Sequence, residues 1–225
     1  MILLSACISG SGTLITESRD VNGFDQVTLE GSGEVILTQG DTESLTVETD
    51  DNLMQYVSTE VRDGTLYLDL RNEQFTHIGP TQLIFRLDVK EIVGLNVLGS
   101  GSIEADSLTT DRLSFDIVGV GDVLVDSLQA GELQIHIGGS GNLELAGTAT
   151  EQDINIGGSG RVLAPDLRSE VVNVRTGGSG DATVWASNTL DARIAGSGKV
   201  NYYGSPSVSS SITGSGILIS LGDKE

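Results

Sequence analysis

From residue 99 onward, apolar and polar positions fall into a pattern that repeats about every 20 residues. Its marker is a Gly-x-Gly triplet opening at Gly99, Gly119, Gly139, Gly158, Gly178, Gly196 and Gly214, in steps of 20, 20, 19, 20, 18 and 18 residues. The middle residue is serine in all of these except at Val120, and two earlier triplets open at Gly10 and Gly31. Four residues after the first glycine stand Leu14, Val35, Ile103, Val123, Leu143, Val162, Ala182, Val200 and Leu218. Two before it stand Leu29, Val97, Ile117, Ile137, Ile156, Thr176, Ile194 and Ile212; four before it, Val27, Leu95, Phe115, Ile135, Ile154, Val174, Ala192 and Ser210. Mostly polar residues separate these columns, the period-two alternation of a strand with one buried face. Each period predicts strand, Gly-Ser-Gly, strand and turn.

The alternation runs on through the triplet, so both glycines share the phase of the core positions and the serine points outward. A Cβ at such a corner would strike the core or the neighbouring rung, which explains the glycines by packing. No Gly-Lys-Ser/Thr follows them, so they do not read as a phosphate-binding loop. A single rung cannot bury its apolar face, but stacked rungs share one core. The pattern therefore predicts an all-β, single-domain parallel β-helix or β-solenoid with about 18–20 residues per rung, regular over residues 99–222. An antiparallel barrel or prism competes, and the near-constant spacing of equivalent residues favours the solenoid. Seven rungs about 4.8 Å apart would span roughly 30 Å.

Residues 10–98 predict irregular N-terminal rungs or a hairpin-rich cap. Strands are expected around 45–48, 60–61 and 66–68, with a turn at Asp63-Gly64, and around 83–87. Asp50-Asp51-Asn52 could start one helical turn through Met54 and Tyr56. His77-Ile78-Gly79-Pro80 reads as a loop.

Composition narrows the functions open to such a stack. Only 4% of residues are aromatic, so the core must be layered from small aliphatics. Lys+Arg 12 against Asp+Glu 32 gives a formal charge of -20, which repels nucleic acid and anionic lipid headgroups. No apolar run reaches the length of a membrane-spanning helix. The one cysteine, Cys7, excludes an internal disulfide. Its context, Leu4-Ser5-Ala6-Cys7, resembles the lipobox of bacterial lipoproteins, which implies acylation at Cys7 and a lipid anchor rather than a span. Residues 1–9 are accordingly expected to be a signal-peptide remnant and lipidated linker, with the solenoid domain over 10–222. Met1-Ile2-Leu3 is too short to supply the rest of a signal peptide.

A family resemblance rests on Arg19, Gly23-Phe24-Asp25-x-Val27, Gly31-Ser32-Gly33-x-Val35, Gly40-Asp41, Val47, Asp50, Asn52-Leu53 and Gly64-Thr65-Leu66. It continues through the Gly-Ser-Gly series to Gly198-Lys199-Val200-x-Tyr202-x-Gly204-x-Pro206. In this order and spacing the chain resembles the putative auto-transporter adhesin head GIN domain family of bacterial envelope proteins, over roughly residues 10–218. The resemblance implies a β-helical fold and an exported, often lipid-anchored, location in the cell envelope, at the outer membrane or cell surface. It carries no catalytic residues to this chain.

The candidates for chemistry are ladders of outward residues. Three before each triplet lie Asn96, Asp116, His136, Asn155, Arg175, Arg193 and Ser211. Stacked, these would form a polar surface ladder for a glycan or protein partner; Asp116 beside His136 could even act as an acid–base pair, the carboxylate raising the imidazole's pKa. Ordinary cross-strand pairing on a solvated face is the simpler expectation. Three after the first glycine, Ser102, Asp122, Asn142, Arg161, Asp181 and Lys199 read as structural, the last three alternating in sign. Asp106 and Asp126 should stack and form a weak candidate for Ca²⁺, although such an ion takes six or more oxygens and only two align. The repeated serines lack a histidine within readable reach, and His77 and His136 are too few for a His-rich metal site. Trp185 and Tyr203 could stack on sugar rings, with Tyr202 filling core space. Ile15, Ile36, Leu124, Leu163 and Ile219, five after their triplets, could mark a self-association stripe.

These features together imply a non-enzymatic, lipid-anchored envelope protein, a scaffold for adhesion or for binding glycans or protein partners, without a cofactor and contacting a membrane only through Cys7. The alternative is a carbohydrate-active enzyme, a polysaccharide lyase or hydrolase on a β-helix. Against it, rungs of near-constant length leave little chain for the walls of a catalytic groove.

Overall fold

A computed structural model describes residues 7–71 and 77–224. The expected files stack in register. Val35, Ile103, Val123, Leu143, Val162, Ala182, Val200 and Leu218 follow one another through parallel pairing, each one rung above the last. Leu68, Leu29, Val97, Ile117, Ile137, Ile156, Thr176, Ile194 and Ile212 form a second file in the same way. That makes nine stacked strands and a stack about 38 Å high at about 4.8 Å per step. Nearly all file members are fully buried, the last rung excepted.

Each regular rung is one long bent strand: Ser102–Ile117, Asp122–Ile137, Asn142–Ile156, Arg161–Thr176 and Asp181–Gly196. The period-two alternation slips where the strand bends. In the first of them Ile103 and Ala105 face inward, Asp106 and Ser107 are both exposed, and Leu108 turns in again. A second slip lies between Leu108 and Leu113. Together with the triplet corner this gives three short faces around one aliphatic core.

The triplet glycines are required by the stack itself. A Cβ on Gly139 would lie 1.9 Å from the carbonyl oxygen of Gly119, one rung below. On Gly141 it would lie 2.0 Å from that of Gly121 and 2.7 Å from the Ile117 side chain. The corner therefore packs backbone on backbone, and the middle residue, being outward, can be serine or valine.

At the N-terminal end the solenoid is closed by antiparallel strands. Val57–Arg62 and Thr65–Leu70 form a hairpin whose two-residue turn, Asp63-Gly64, has positive φ at both positions, as a tight hairpin demands. Leu14–Arg19 pairs antiparallel with Ser44–Asp50, which pairs antiparallel with Leu83–Val89. The helical turn expected after Asp50 is the 3-10 turn Met54–Tyr56. The layers do not follow chain order: Gln26–Leu29 and Glu34–Gln39 sit between the later Thr65–Leu70 and Leu83–Val89 on one side and Gly94–Val97 and Ser102–Ile117 on the other.

Two expectations about the N-terminal third are corrected. The triplet opening at Gly10 is not in the file of the others: Leu14 pairs with Asp50 and is exposed. It forms a clamp on the buried carboxylate of Asp50, which accepts from the Gly12 and Thr81 amides, both at 2.7 Å. A Cβ on Gly10 would fall on that carboxylate, 2.2 Å from one oxygen. His77–Gly79, expected as a loop, is a short strand paired in parallel with Cys7–Ser9.

Candidate functional site

The ladder three residues before each triplet lies between two buried files, so its side chains alternate outward as neighbours alternate inward: Phe115 in, Asp116 out, Ile117 in. Register places Asn96, Asp116, His136, Asn155, Arg175, Arg193 and Ser211 on successive rungs, with Thr28 below Asn96. Two residues earlier in each strand runs a second outward file on the same face, Gly94, Ser114, Gln134, Asp153, Asn173 and Asp191. Spacing from the triplet singles out only the first file, although the same period-two phase implies the second.

The two files divide the face in half. Toward the C-terminus the cations are neutralised within the face: Arg175 donates to Asp153 at 2.7 Å and Arg193 to Asp191 at 2.8 Å. At the base, Asn96 donates to the Thr28 hydroxyl at 3.1 Å. Between them opens a shallow depression of about 480 Å³, lined on its outer side by Asn96, Ser114, Asp116, Gln134, His136, Asp153 and Asn155. Asp116 and His136 share its floor, yet among the described residues no ion pair joins them. One oxygen of Asp116 is fully buried and accepts no hydrogen bond from the described residues. A buried acceptor without a donor is uncommon and destabilising.

The other candidates fall elsewhere. Asp106 and Asp126 lie on adjacent rungs, between the paired Ala105/Val125 and Ser107/Ser127, both exposed. Among the described residues no cluster of three or more His, Cys, Asp or Glu is placed to hold a metal ion. The file three after the glycines works through the backbone: Asp122 accepts from the Asn142 amide at 2.9 Å and Asp181 from the Lys199 amide at 2.9 Å. Acids there fasten one corner to the next, rather than pairing with Arg161 or Lys199 side chains.

The aliphatic stripe is broken, because Glu104 and Glu144 alternate with Leu124 and Leu163 on successive rungs. Tyr202 packs against the core as expected. Trp185 and Tyr203 stack on adjacent rungs, and the Lys224 ammonium lies 5.7 Å and 4.9 Å from their ring centres. Lys224 also donates to the Pro165 carbonyl at 2.7 Å and pairs with Asp166, so this aromatic pair is already covered by the chain's own tail. Cys7 is an exposed thiol at the end of its short strand pair; Leu4, Ser5 and Ala6 of the lipobox-like stretch lie outside the described residues.

Fold and face together define a β-solenoid repeat scaffold, with a flat polar ladder and a closed N-terminal end. A family model described as "Putative auto-transporter adhesin, head GIN domain" matches residues 23–206, and the chain belongs to this family. Among solved structures, a putative adhesin from Bacteroides fragilis NCTC 9343 is similar at 28% identity with a TM-score of 0.87, over 96% of this chain and 99% of that one. A putative lipid binding protein from Parabacteroides distasonis ATCC 8503 is similar at 29% identity and TM-score 0.80, over 96% and 100%. A putative adhesin from Parabacteroides merdae ATCC 43184, at 23% identity and TM-score 0.77 over 96% and 99%, shares the fold. No curated protein matches the chain.

Proposed function

We propose that the chain is a non-enzymatic binding scaffold of the bacterial cell envelope, anchored by acylation at Cys7, whose ladder face takes neutral glycans. The observation that carries this reading is the depression in which Asn96, Ser114, Gln134, His136 and Asn155 surround Asp116 and Asp153 in register on successive rungs. Asn and Gln side chains pair a donor with an acceptor in one plane, as adjacent sugar hydroxyls require. A net charge of -20 disfavours acidic polysaccharides. The names of the similar solved proteins, adhesins among them, agree with a surface role. Anchoring at Cys7 would hold the closed end at the membrane, because the Gly10–Gly12 segment is clamped to Asp50 only a few residues on.

The enzyme reading has one observation in its favour, Asp116 and His136 on neighbouring rungs. The two are not bonded, and the long strands differ by at most one residue in length, 15 or 16, leaving no loops to enclose a substrate. Binding to a neutral and acidic glycan array, with product release measured on the same glycans, separates the readings. Binding without product is expected, with Asp116→Ala and Asn155→Ala each weakening it about tenfold, the worth of about 1.4 kcal/mol. Product release, or binding indifferent to both substitutions, would refute the proposal. Intact mass of the full-length gene product expressed in bacteria should show acyl mass that Cys7→Ser abolishes.

A further inference from the structure

The two ends of the stack are unlike. The N-terminal end is covered by antiparallel strands and by the fully buried Leu53 and Met54. At the other end, the last rung comprises Ser207–Gly214 and Ile217–Ser220, each paired on one side only, with Asp181–Gly196 and Lys199–Tyr203 respectively. Its inward positions are core positions with none of the described residues above them. Val208 stands over Leu190 and Ile212 over Ile194, and they are 41% and 44% exposed, whereas Leu190 and Ile194 are buried. Ile217, Ile219 and Leu221 add further exposed apolar surface on the same rung.

The described tail, to Lys224, does not cover this end. Leu221 donates to the Tyr202 carbonyl at 2.8 Å, the Gly204 amide donates to Gly222, and Lys224 is fastened to Pro165 and Asp166, so the tail follows the flank of the rung. Free strand edges in soluble proteins are ordinarily guarded by charge, and the terminal repeats of a solenoid by a polar outer face. Here the polar residues beside Val208 and Ile212 are exposed serines and a threonine, Ser207, Ser209, Ser210, Ser211 and Thr213, and the charged part of that guard is missing. No Asp, Glu, Lys, Arg or His occurs anywhere in residues 200–222, although the whole chain carries a charge of -20. The end is thus a surface on which a second, equally acidic copy can approach without bringing like charges together.

We infer that two copies of the chain join tip to tip through their last rungs, across a two-fold axis. Such an axis makes the meeting edges antiparallel and lets each Val208, Ile212 and Leu218 be covered by the same surface of the partner. Contact closes at two copies, since the N-terminal end is capped. On the proposed anchoring at Cys7, the joined tips would lie farthest from both membranes, so that the pair links two surfaces rather than neighbours on one.

Sedimentation velocity on the full chain in reductant, from micromolar to several hundred micromolar, tests the inference independently of the anchor. A dimer is expected, tightening as salt rises, because screening relieves repulsion between the acidic bodies and leaves apolar contact intact. Val208→Lys with Ile212→Lys should give a monomer with unchanged circular dichroism. Ser210→Glu, at a small uncovered position that cannot disturb the core, should do the same. A monomeric wild type, a dimer that survives both variants, or open-ended polymers would each overturn it. A second readout uses phosphatidylcholine vesicles coupled through maleimide lipid to Cys7. Wild-type vesicles should cluster and Ser210→Glu vesicles should stay dispersed; if soluble dimers form while vesicles do not cluster, tip pairing stands and the membrane orientation falls.

Discussion

Adjacent glycines in this chain have different reasons to be glycine. Gly138 and Gly139 both precede Ser140, but a Cβ on Gly138 would come no closer than 3.6 Å to a ring nitrogen of His136, whereas one on Gly139 meets two carbonyl oxygens at 1.9 and 2.3 Å. Neither carbonyl can retreat without opening the ladder. Gly139→Ala is expected to destabilise by about 1–3 kcal/mol or more, the range of overpacked cores. Gly138→Ala should be neutral or stabilising by up to about 1 kcal/mol through the unfolded chain. Denaturant unfolding of the two variants checks this, and equal effects would contradict the backbone-contact account. The same scale holds the polar exceptions in the core. Thr176 occupies a file otherwise aliphatic and its hydroxyl has no partner among the described residues; Gln152 donates to Ser169 at 2.5 Å while its own carbonyl oxygen accepts from none of them.

At the scale of elements, the Asp50 clamp joins three segments of the cap. Burial alone would raise the Asp50 pKa; hydrogen bonds from Thr81 and Gly12 outweigh it and hold the group below the ordinary carboxylate range. A carboxyl depressed in the folded state lends its stabilisation at all pH above its unfolded value and loses it as pH falls through the folded one. Hydrogen exchange at the Gly12 and Thr81 amides should therefore accelerate in acid below the normal carboxylate range, before the long rungs open. In Asp50→Asn it should be fast at neutral pH and lack that acid step; an unchanged pH profile would contradict the clamp.

This is also where sequence reading stopped short. The regular rungs were legible because every one repeats the same phase, so Val123, Leu143 and Val162 announce one another. The Gly10 triplet carries the same letters but answers to a carboxylate 40 residues away in sequence, and local pattern cannot distinguish the two roles. The reversed order of the first layers was equally hidden, since the strand Thr65–Leu70 bears no triplet to mark its place. On the candidate face, the Asp116–Arg193 ladder was visible by spacing. The Asp153 and Asp191 partners that neutralise its arginines were not, because choosing Asp153 over the stacked Asn155 depends on side-chain reach.

For the whole molecule, regularity is what turns a list of residues into surfaces. A stack in register gives a flat ladder with repeating polar groups on one side, a corner sewn by Asp122 and Asp181 on another, and two ends that differ in covering. Both proposed interactions, a glycan along the ladder and a second copy at the tip, depend on equivalent residues lying one rung apart. Spin labels at pairs of ladder positions, placed in a Cys7→Ser chain, measure that directly by pulsed electron–electron resonance. Labels at Asn96 paired with Arg175, Arg193 or Ser211 are separated by four, five and six rungs, so mean distances should rise in equal steps of about 4.8 Å from roughly 19 to 29 Å. Distances that fail to rise in order, or that cluster at one value, would contradict the stacked account.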